Sequence, residues 1–183
     1  MTGEGVIRDE PRRSKMNALK MAAMFMTAIL FCAPQLHASD DNADKGLDAL
    51  KALAGTWVSE KPGHDGKPMT TIFKVTSGGT AVEETLFAGS DHEMVDMYTV
   101  DGDTLLLTHY CMMGNQPRMQ LKRSEKGTMV FEFVNGGNMK SRDEAHMDSV
   151  ELMIDGDKLT EKWTNMSDGK PSEVVSFEFK KKT

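Results

Sequence analysis

The chain has 183 residues, a formal net charge of −6 and only two cysteines. This length is typical of one domain with additional segments. An acidic surface repels phosphate backbones, so nucleic acid is not an expected partner. Two cysteines are too few for a disulfide-stabilised scaffold, so the fold must rest on a hydrophobic core.

The N-terminal part of the chain has the pattern of an export signal. Basic residues precede an apolar run from Met21 to Ala33. The run has the length of a signal-peptide core and is too short to span a membrane. The sequence therefore predicts a signal peptide over residues 1–38, cleaved near Ala38, with Met16 as an alternative start. An uncleaved anchor is the alternative interpretation.

Export would place the mature chain in the periplasm or outside the cell, where it would meet a membrane only through its signal peptide. Five basic and three acidic residues lie within 1–38, which leaves 17 basic and 25 acidic residues and a net charge of −8. Cleavage would also remove Cys32. Cys111 would then be a single thiol. A single thiol persists in an oxidising compartment when it is buried, bound to a metal or part of a reactive site.

The mature chain shows one helical segment followed by strand patterns only. Residues 39–46 are polar and predict a flexible tail. Leu47, Leu50 and Leu53 have the spacing of a short amphipathic helix. Turn signals such as Asp101-Gly102 then separate short runs of strand type. They predict ten strands: 55–60, 69–77, 80–88, 93–100, 104–112, 117–124, 128–134, 147–154, 158–165 and 173–181.

Apolar and polar residues alternate within these strands, as in Val150, Leu152 and Ile154. Alternation of this kind indicates a sheet with one buried face. An antiparallel meander avoids exposed edges most simply by closing on itself. The sequence therefore predicts an all-β barrel of roughly ten antiparallel strands with a short N-terminal helix, over residues 47–181. A two-sheet sandwich is the alternative, and Asn135–Ala145 is the one long polar connection.

The residues Leu53-Ala54-Gly55-Thr56-Trp57 form a Leu-x-Gly-x-Trp motif at the start of the first strand. This motif resembles the opening of the calycin superfamily, which includes lipocalins, fatty-acid-binding proteins and nitrobindin-like haem barrels. The resemblance implies a structural role for Gly55 and Trp57. It implies that Trp57 packs across the closed end of the barrel, with Lys180 or Lys181 over it.

Three further segments are similar to uncharacterised, often secreted, lipocalin-like proteins. They are His92-Glu93-Met94, Thr108-His109-Tyr110-Cys111 and Asn115-Gln116-Pro117-Arg118-Met119. The resemblance covers about Leu47 to Lys180 and brings no agreed activity. No histidine follows His146, which departs from the C-terminal proximal-histidine region of nitrobindins.

The segment Thr108–Met119 holds the densest group of reactive side chains. Alternation places His109, Cys111 and Met113 on the inward face with Leu105 and Leu107. The sequence predicts a pocket with apolar walls and a few polar anchors, and the candidate anchors are His109, Cys111, Arg118, Asn115, His92 and His146. Arg118 would hold a carboxylate. In the alternative, His109 and Cys111 are core residues and Arg118 lies on the surface.

The function predicted from these residues is the binding of a partly apolar small molecule, anionic if Arg118 holds it, inside an exported barrel. One alternative is a copper- or haem-handling protein with His109 and Cys111 as ligands, since imidazole and thiolate suit soft metals. Another is a small enzyme using the same pocket. A third is an envelope interaction module with a filled barrel. No cofactor is required by the sequence, and oligomeric state is left open.

Other candidate features favour structural roles. The methionines are spread over most strands, as core filler would be. Glu83 and Glu84 are adjacent and must face opposite sides of a strand, so they do not predict a carboxylate pair.

Overall fold

The computed structural model describes residues 41–63 and 66–183 of the chain. One helix, α1 (Asp41–Ala52), precedes ten strands. The strands are β1 (Gly55–Pro62), β2 (Pro68–Thr76), β3 (Ala81–Leu86), β4 (Met94–Asp101), β5 (Thr104–Tyr110), β6 (Gln116–Glu125), β7 (Thr128–Gly137), β8 (His146–Asp155), β9 (Lys158–Ser167) and β10 (Lys170–Lys181). A 3₁₀ turn at Ser77–Gly79 joins β2 to β3. The predicted signal peptide lies outside the described residues.

The ten strands form one closed antiparallel barrel. Each strand pairs with its neighbours in sequence, and β1 pairs with β10 to complete the ring. Closure satisfies the backbone groups that an open sheet would leave unpaired at its edges. The prediction of an all-β, lipocalin-like meander barrel with a short N-terminal helix is confirmed. The sandwich alternative is wrong because no edge separates two sheets.

Helix α1 packs across one end of the barrel, against β2 to β6. Its buried face includes Ala43, Leu47 and Leu50. A Cβ at Gly46 would lie 2.8 Å from the Leu105 side chain, so glycine lets the helix approach the barrel wall. The helix begins at Asp41, so the predicted flexible tail at 39–46 is wrong from residue 41 onward, because Ala43 already packs in the core.

Trp57 lies at the same end and links α1 to the last strand. The indole is buried and its Nε1 donates to the carbonyl of Leu53 at 2.8 Å. Lys181 places its Nζ 5.3 Å from the indole centroid and donates to the Ala52 carbonyl at 3.2 Å. Lys180 is exposed and faces Asp157 instead. Of the two lysines offered by the calycin resemblance, Lys181 therefore has the position over the tryptophan.

The opposite end of the barrel, here called the mouth, carries four described connections. They are residues 87–93, 111–115, 138–145 and 168–169. The predicted polar connection Asn135–Ala145 is shorter than expected, because β7 continues its pairing with β6 as far as Gly137. The two ends thus differ: leucines and a helix close one, and short loops surround the other.

The closing role of α1 predicts a large loss of stability when its core face is truncated. Leu50 is fully buried, and replacing it with alanine should lower the free energy of unfolding by about 3 kcal/mol, because the cavity left behind adds to the lost transfer energy. Urea unfolding followed by tryptophan fluorescence measures this. Asp48→Ala, on the exposed face of α1, should change it by less than about 0.5 kcal/mol. Equal effects of the two variants would contradict the packing of α1 against the barrel.

Candidate functional site

Polar side chains converge at inward positions of five strands in the middle of the barrel. We call them the interior acid cluster: Thr71, Glu84, Asp96, Tyr98, His109 and Glu161. Each is at most 1% exposed. The strand register explains much of the arrangement, since Glu84 lies opposite Asp96 and Asp96 lies opposite His109. Glu161 comes from β9, on another part of the barrel wall.

The shortest contact in the cluster joins Asp96 to His109. The Nδ1 of His109 lies 2.6 Å from Oδ1 of Asp96. Burial lowers the pKa of His109, but the negative charge of Asp96 and their hydrogen bond outweigh it and raise that pKa to about 10. His109 is therefore an imidazolium at neutral pH, with Nδ1–H donating to Asp96 and Nε2–H directed elsewhere.

Glu84 and Glu161 form a second pair, which holds protons. Oε1 of Glu84 accepts from Thr71 and Oε2 from Tyr98, both at 2.8 Å. Burial and the charges of Glu161 and Asp96 raise the pKa of Glu84 well above its usual value. Burial likewise raises the pKa of Glu161 to about 7, and Trp163 Nε1 donates to its Oε2 at 3.2 Å. Two carboxyl groups in so dry a place cannot both ionise readily, so at neutral pH Glu84 keeps its proton while Glu161 is partly ionised.

Three polar atoms of the cluster have no hydrogen-bond partner of normal geometry. They are Asp96 Oδ2, His109 Nε2 and Glu161 Oε1. Most buried polar groups in folded proteins are paired. Of the three residues, only His109 also lines a cavity.

The cavity lies just inside the mouth and has a volume of about 50 Å³. His109, Trp163 and Leu86 form its buried floor. Partly buried apolar side chains form its walls: Phe87, Met94, Met147, Val175 and Phe177. Typical small-molecule sites measure about 300–1,000 Å³, so this cavity takes only the end of a molecule.

A larger cleft of about 250 Å³ lies between the end of β7 and the 138–145 connection. Arg142 lines it and stacks on the Phe133 ring at 4.2 Å. The same guanidinium contacts His146 and Asp148. These contacts hold the connection against the barrel wall.

The structure brings together some of the predicted anchors and separates others. His109 and Cys111 point inward, as predicted, and Cys111 is a buried free thiol. Asn115 is buried, but its Nδ2 donates a hydrogen bond to the carbonyl of Ala145 at 2.8 Å and is not left for a ligand. His146 is buried beside Phe133, with Nδ1 donating to the carbonyl of Glu144 at 2.6 Å, and it does not line the mouth cavity.

The expected positions of Arg118, His92 and Met113 are wrong. Arg118 is exposed, because it pairs with outward-facing Thr108 while buried Met119 faces the interior. His92 is exposed in the turn between β3 and β4. Met113 is 48% exposed because β5 ends at Tyr110, and the alternation of a strand does not continue into the following turn. Arg118 therefore does not supply an anion anchor inside the barrel.

The described residues contain no group of three or more histidine, cysteine, aspartate or glutamate side chains arranged to hold a metal ion. In this part of the chain no helix is long and apolar enough to cross a membrane. Comparison of the chain with protein-family models gave no match, and no curated protein matches it.

Sequence reasoning missed the three buried carboxylates, although two of them carry a clear signal. Glu84 lies between inward Val82 and Leu86, and Glu161 lies between inward Leu159 and Trp163. A carboxylate flanked at both i−2 and i+2 by large apolar residues shares their buried face. Asp96 has Met94 at i−2 and Tyr98 at i+2, but its signal is weaker because both faces of β4 carry apolar residues.

The raised pKa of Glu161 predicts that stability falls as the pH rises. The folded state keeps its proton to about pH 7, while the unfolded chain releases it near 4.5. The contribution is therefore complete below pH 4.5 and is lost as the pH rises to 7, a change of about 3 kcal/mol in the free energy of unfolding. Urea titrations across this range measure it.

Glu161→Gln imitates the protonated acid and should remove the part of this decline that Glu161 causes. It leaves the part that comes from the raised pKa of Glu84 and the loss above about pH 6.5 that accompanies deprotonation of His109. Glu83→Gln is the matched control, because Glu83 lies on the outer face opposite Lys74. A flat profile in the unaltered protein would contradict the proton-holding role of Glu161.

Proposed function

We propose that the protein is an exported, calycin-like binding protein that holds one end of a slender, partly apolar small molecule in the mouth cavity. One observation carries the proposal. The cavity has apolar walls and a floor on which the imidazolium of His109 has a ring nitrogen, Nε2, without a hydrogen-bond partner. Apolar walls with a fixed polar anchor are the general form of a small-molecule site.

The cavity limits what the ligand can insert. A volume of about 50 Å³ is a little more than the roughly 30 Å³ that one water molecule occupies in the liquid. The inserted part is therefore a terminal group of a few atoms. The remainder of the ligand lies between the mouth connections, along Phe87 and Phe177, whose rings pack edge to face at 5.1 Å.

The charges around His109 select the kind of terminal group. Nε2–H donates, so the ligand must offer an acceptor. Trp163 does not bind this terminal group, because its Nε1–H already donates to Glu161. Three carboxyl groups share the interior with His109, which favours an uncharged carbonyl or hydroxyl oxygen over a carboxylate.

Export is the part of the proposal that rests on sequence alone. The basic residues and apolar run of Met21–Ala33, followed by Ala38, support cleavage of a signal peptide and release to the periplasm or the exterior. Mass spectrometry of the N-terminal peptide of the protein recovered from its native cells tests this. An intact N-terminus at Met1 or Met16 would contradict cleavage.

A second candidate, an interaction module with a filled barrel, is favoured by one observation. The mouth cavity measures only about 50 Å³, while Met112 and Met113 at the mouth are 59% and 48% exposed. Exposed methionines suit adaptable protein contacts. The two candidates differ in whether a small molecule enters the barrel.

The binding proposal predicts that a side chain filling the cavity abolishes ligand-induced stabilisation. Straight-chain alcohols, ketones and carboxylic acids are the probes, assayed by thermal unfolding. A bound probe at a hundredfold excess over its Kd should stabilise the protein by about 2.7 kcal/mol, with the ketones and alcohols strongest. Val175→Trp should remove the shift, because Val175 lines the cavity.

Val174→Trp is the matched control, since the neighbouring Val174 is 58% exposed on the outer face. It should retain the shift. If no probe stabilises the unaltered protein, or if both variants behave alike, the small-molecule proposal is wrong and the filled-barrel module is favoured.

A further inference from the structure

Cys111 occupies a distinct position at the rim of the mouth. It follows the last residue of β5 and continues the inward face that carries His109. A tight turn holds it, with Gly114 N–H donating to the Cys111 carbonyl at 2.9 Å and Cys111 N–H donating to the Asn115 carbonyl at 3.1 Å. The residue is 8% exposed, so it borders solvent while most of its surface is covered.

Two groups that stabilise a negative charge face the sulfur of Cys111. The backbone N–H of Met113 donates to it from within the turn, and the imidazolium of His109 lies beside it. Burial raises the pKa of the thiol, but these two interactions outweigh burial and lower it below its usual value. Nε2 of His109 has no hydrogen-bond partner of normal geometry. On the side of the ring away from Asp96, no second carboxylate of the described residues is therefore hydrogen-bonded to the imidazolium.

Three neighbouring side chains therefore form a row from the buried acid to the rim of the mouth: Asp96, His109 and Cys111. The acid holds the imidazole in one orientation and keeps it charged, and the imidazolium stabilises a thiolate. A cysteine is reactive when it is a thiolate in a partly exposed, electropositive setting. The titratable groups nearest this path are Asp96 on β4, Glu84 on β3, Glu161 on β9 and Tyr98 on β4, of which Asp96 carries the negative charge that faces His109.

The surroundings of Cys111 restrict the reaction it can perform. Acyl transfer needs free donors aimed at a developing oxyanion, but the nearby N–H groups of Cys111, Met113 and Gly114 are all engaged. No second cysteine lies in the described part of the chain to resolve a disulfide. This setting therefore favours a single attack by the thiolate that leaves a stable covalent product over a catalytic cycle that regenerates the free thiol.

We propose that Cys111 is a nucleophilic thiolate that undergoes exchange with low-molecular-weight disulfides and stores one small thiol as a mixed disulfide at the barrel mouth. The thiolate attacks one sulfur of the disulfide RSSR and forms a new S–S bond. The original S–S bond breaks, and RS⁻ leaves with the electron pair and takes a proton from water. A free small thiol in excess reverses the step. The thiolate and a ligand in the cavity would share the imidazolium of His109, but the exchange itself does not require that ligand.

The test is the reaction of the full-length protein with glutathione disulfide. Peptide mapping should place a glutathionyl group on Cys111, and the Cys32→Ser variant, in which Cys111 is the single thiol, should gain one such group by intact mass. The rate should reach half its maximum at a pH below the usual thiol pKa of about 8.5. Modification only in denaturant, or a rate profile equal to that of an ordinary thiol, would overturn the proposal.

Asp96→Asn removes the charge that keeps His109 protonated and should lower the rate at pH 6 by about tenfold, which corresponds to a one-unit rise in the thiol pKa. Glu83→Gln, on the outer face, is the control and should match the unaltered protein. Because Asp96 is buried, folding of the variant is checked by circular dichroism.

If Asp96→Asn does not fold, the thiolate is titrated directly, from the ultraviolet absorbance difference between the unaltered protein and Cys111→Ser. A midpoint at or above 8.5 overturns the proposal. Cys111 is not a wall of the mouth cavity. A thiol that fails this test while ketones still stabilise the protein therefore overturns thiol exchange alone.

Discussion

The contact of 2.6 Å between Asp96 and His109 sets the electrostatics of the barrel interior. A buried imidazole without a charged partner would be neutral, because burial disfavours the cation. With Asp96 beside it, the imidazole is charged, and its ring is fixed so that Nε2 is left for other groups. The mouth cavity, the Cys111 thiol and the carboxyl pair all border this one cation.

The acidic interior also constrains protonation. Glu84 and Glu161 come from separate parts of the wall and interact with each other inside the barrel. Burying two carboxylates in their ionised form would cost several kcal/mol each. Retaining protons avoids this cost, and the donors from Thr71, Tyr98 and Trp163 satisfy three of the four oxygens.

Much of the fold follows from local patterns in the sequence. Turn residues such as Asp101-Gly102 and the alternation of Val150, Leu152 and Ile154 identify the ten strands, because strand geometry forces neighbouring side chains to opposite faces. The same rule places His109 and Cys111 inside. It stops applying at strand ends, which is why Met113 and His92 lie outside.

The candidate site depends on information that a single strand does not contain. Asp96 meets His109 because β4 and β5 pair in one particular register, and Glu161 meets Glu84 because the sheet closes into a ring. Both facts are tertiary. A charged residue at an inward position could have been found from its flanking apolar neighbours, but its partner could not, since that requires the register of several strands at once.

The division of the barrel into two unlike ends connects stability to function. At the helix end, Leu50, Trp57 and Lys181 close the interior with apolar contacts and satisfied hydrogen bonds. Among the described residues, that end has no buried polar side-chain atom left without a partner, whereas His109 at the floor of the mouth cavity has one. Unpaired polar atoms are costly, so a fold tolerates them best where another molecule can approach. The mouth is the end at which chemistry should be sought.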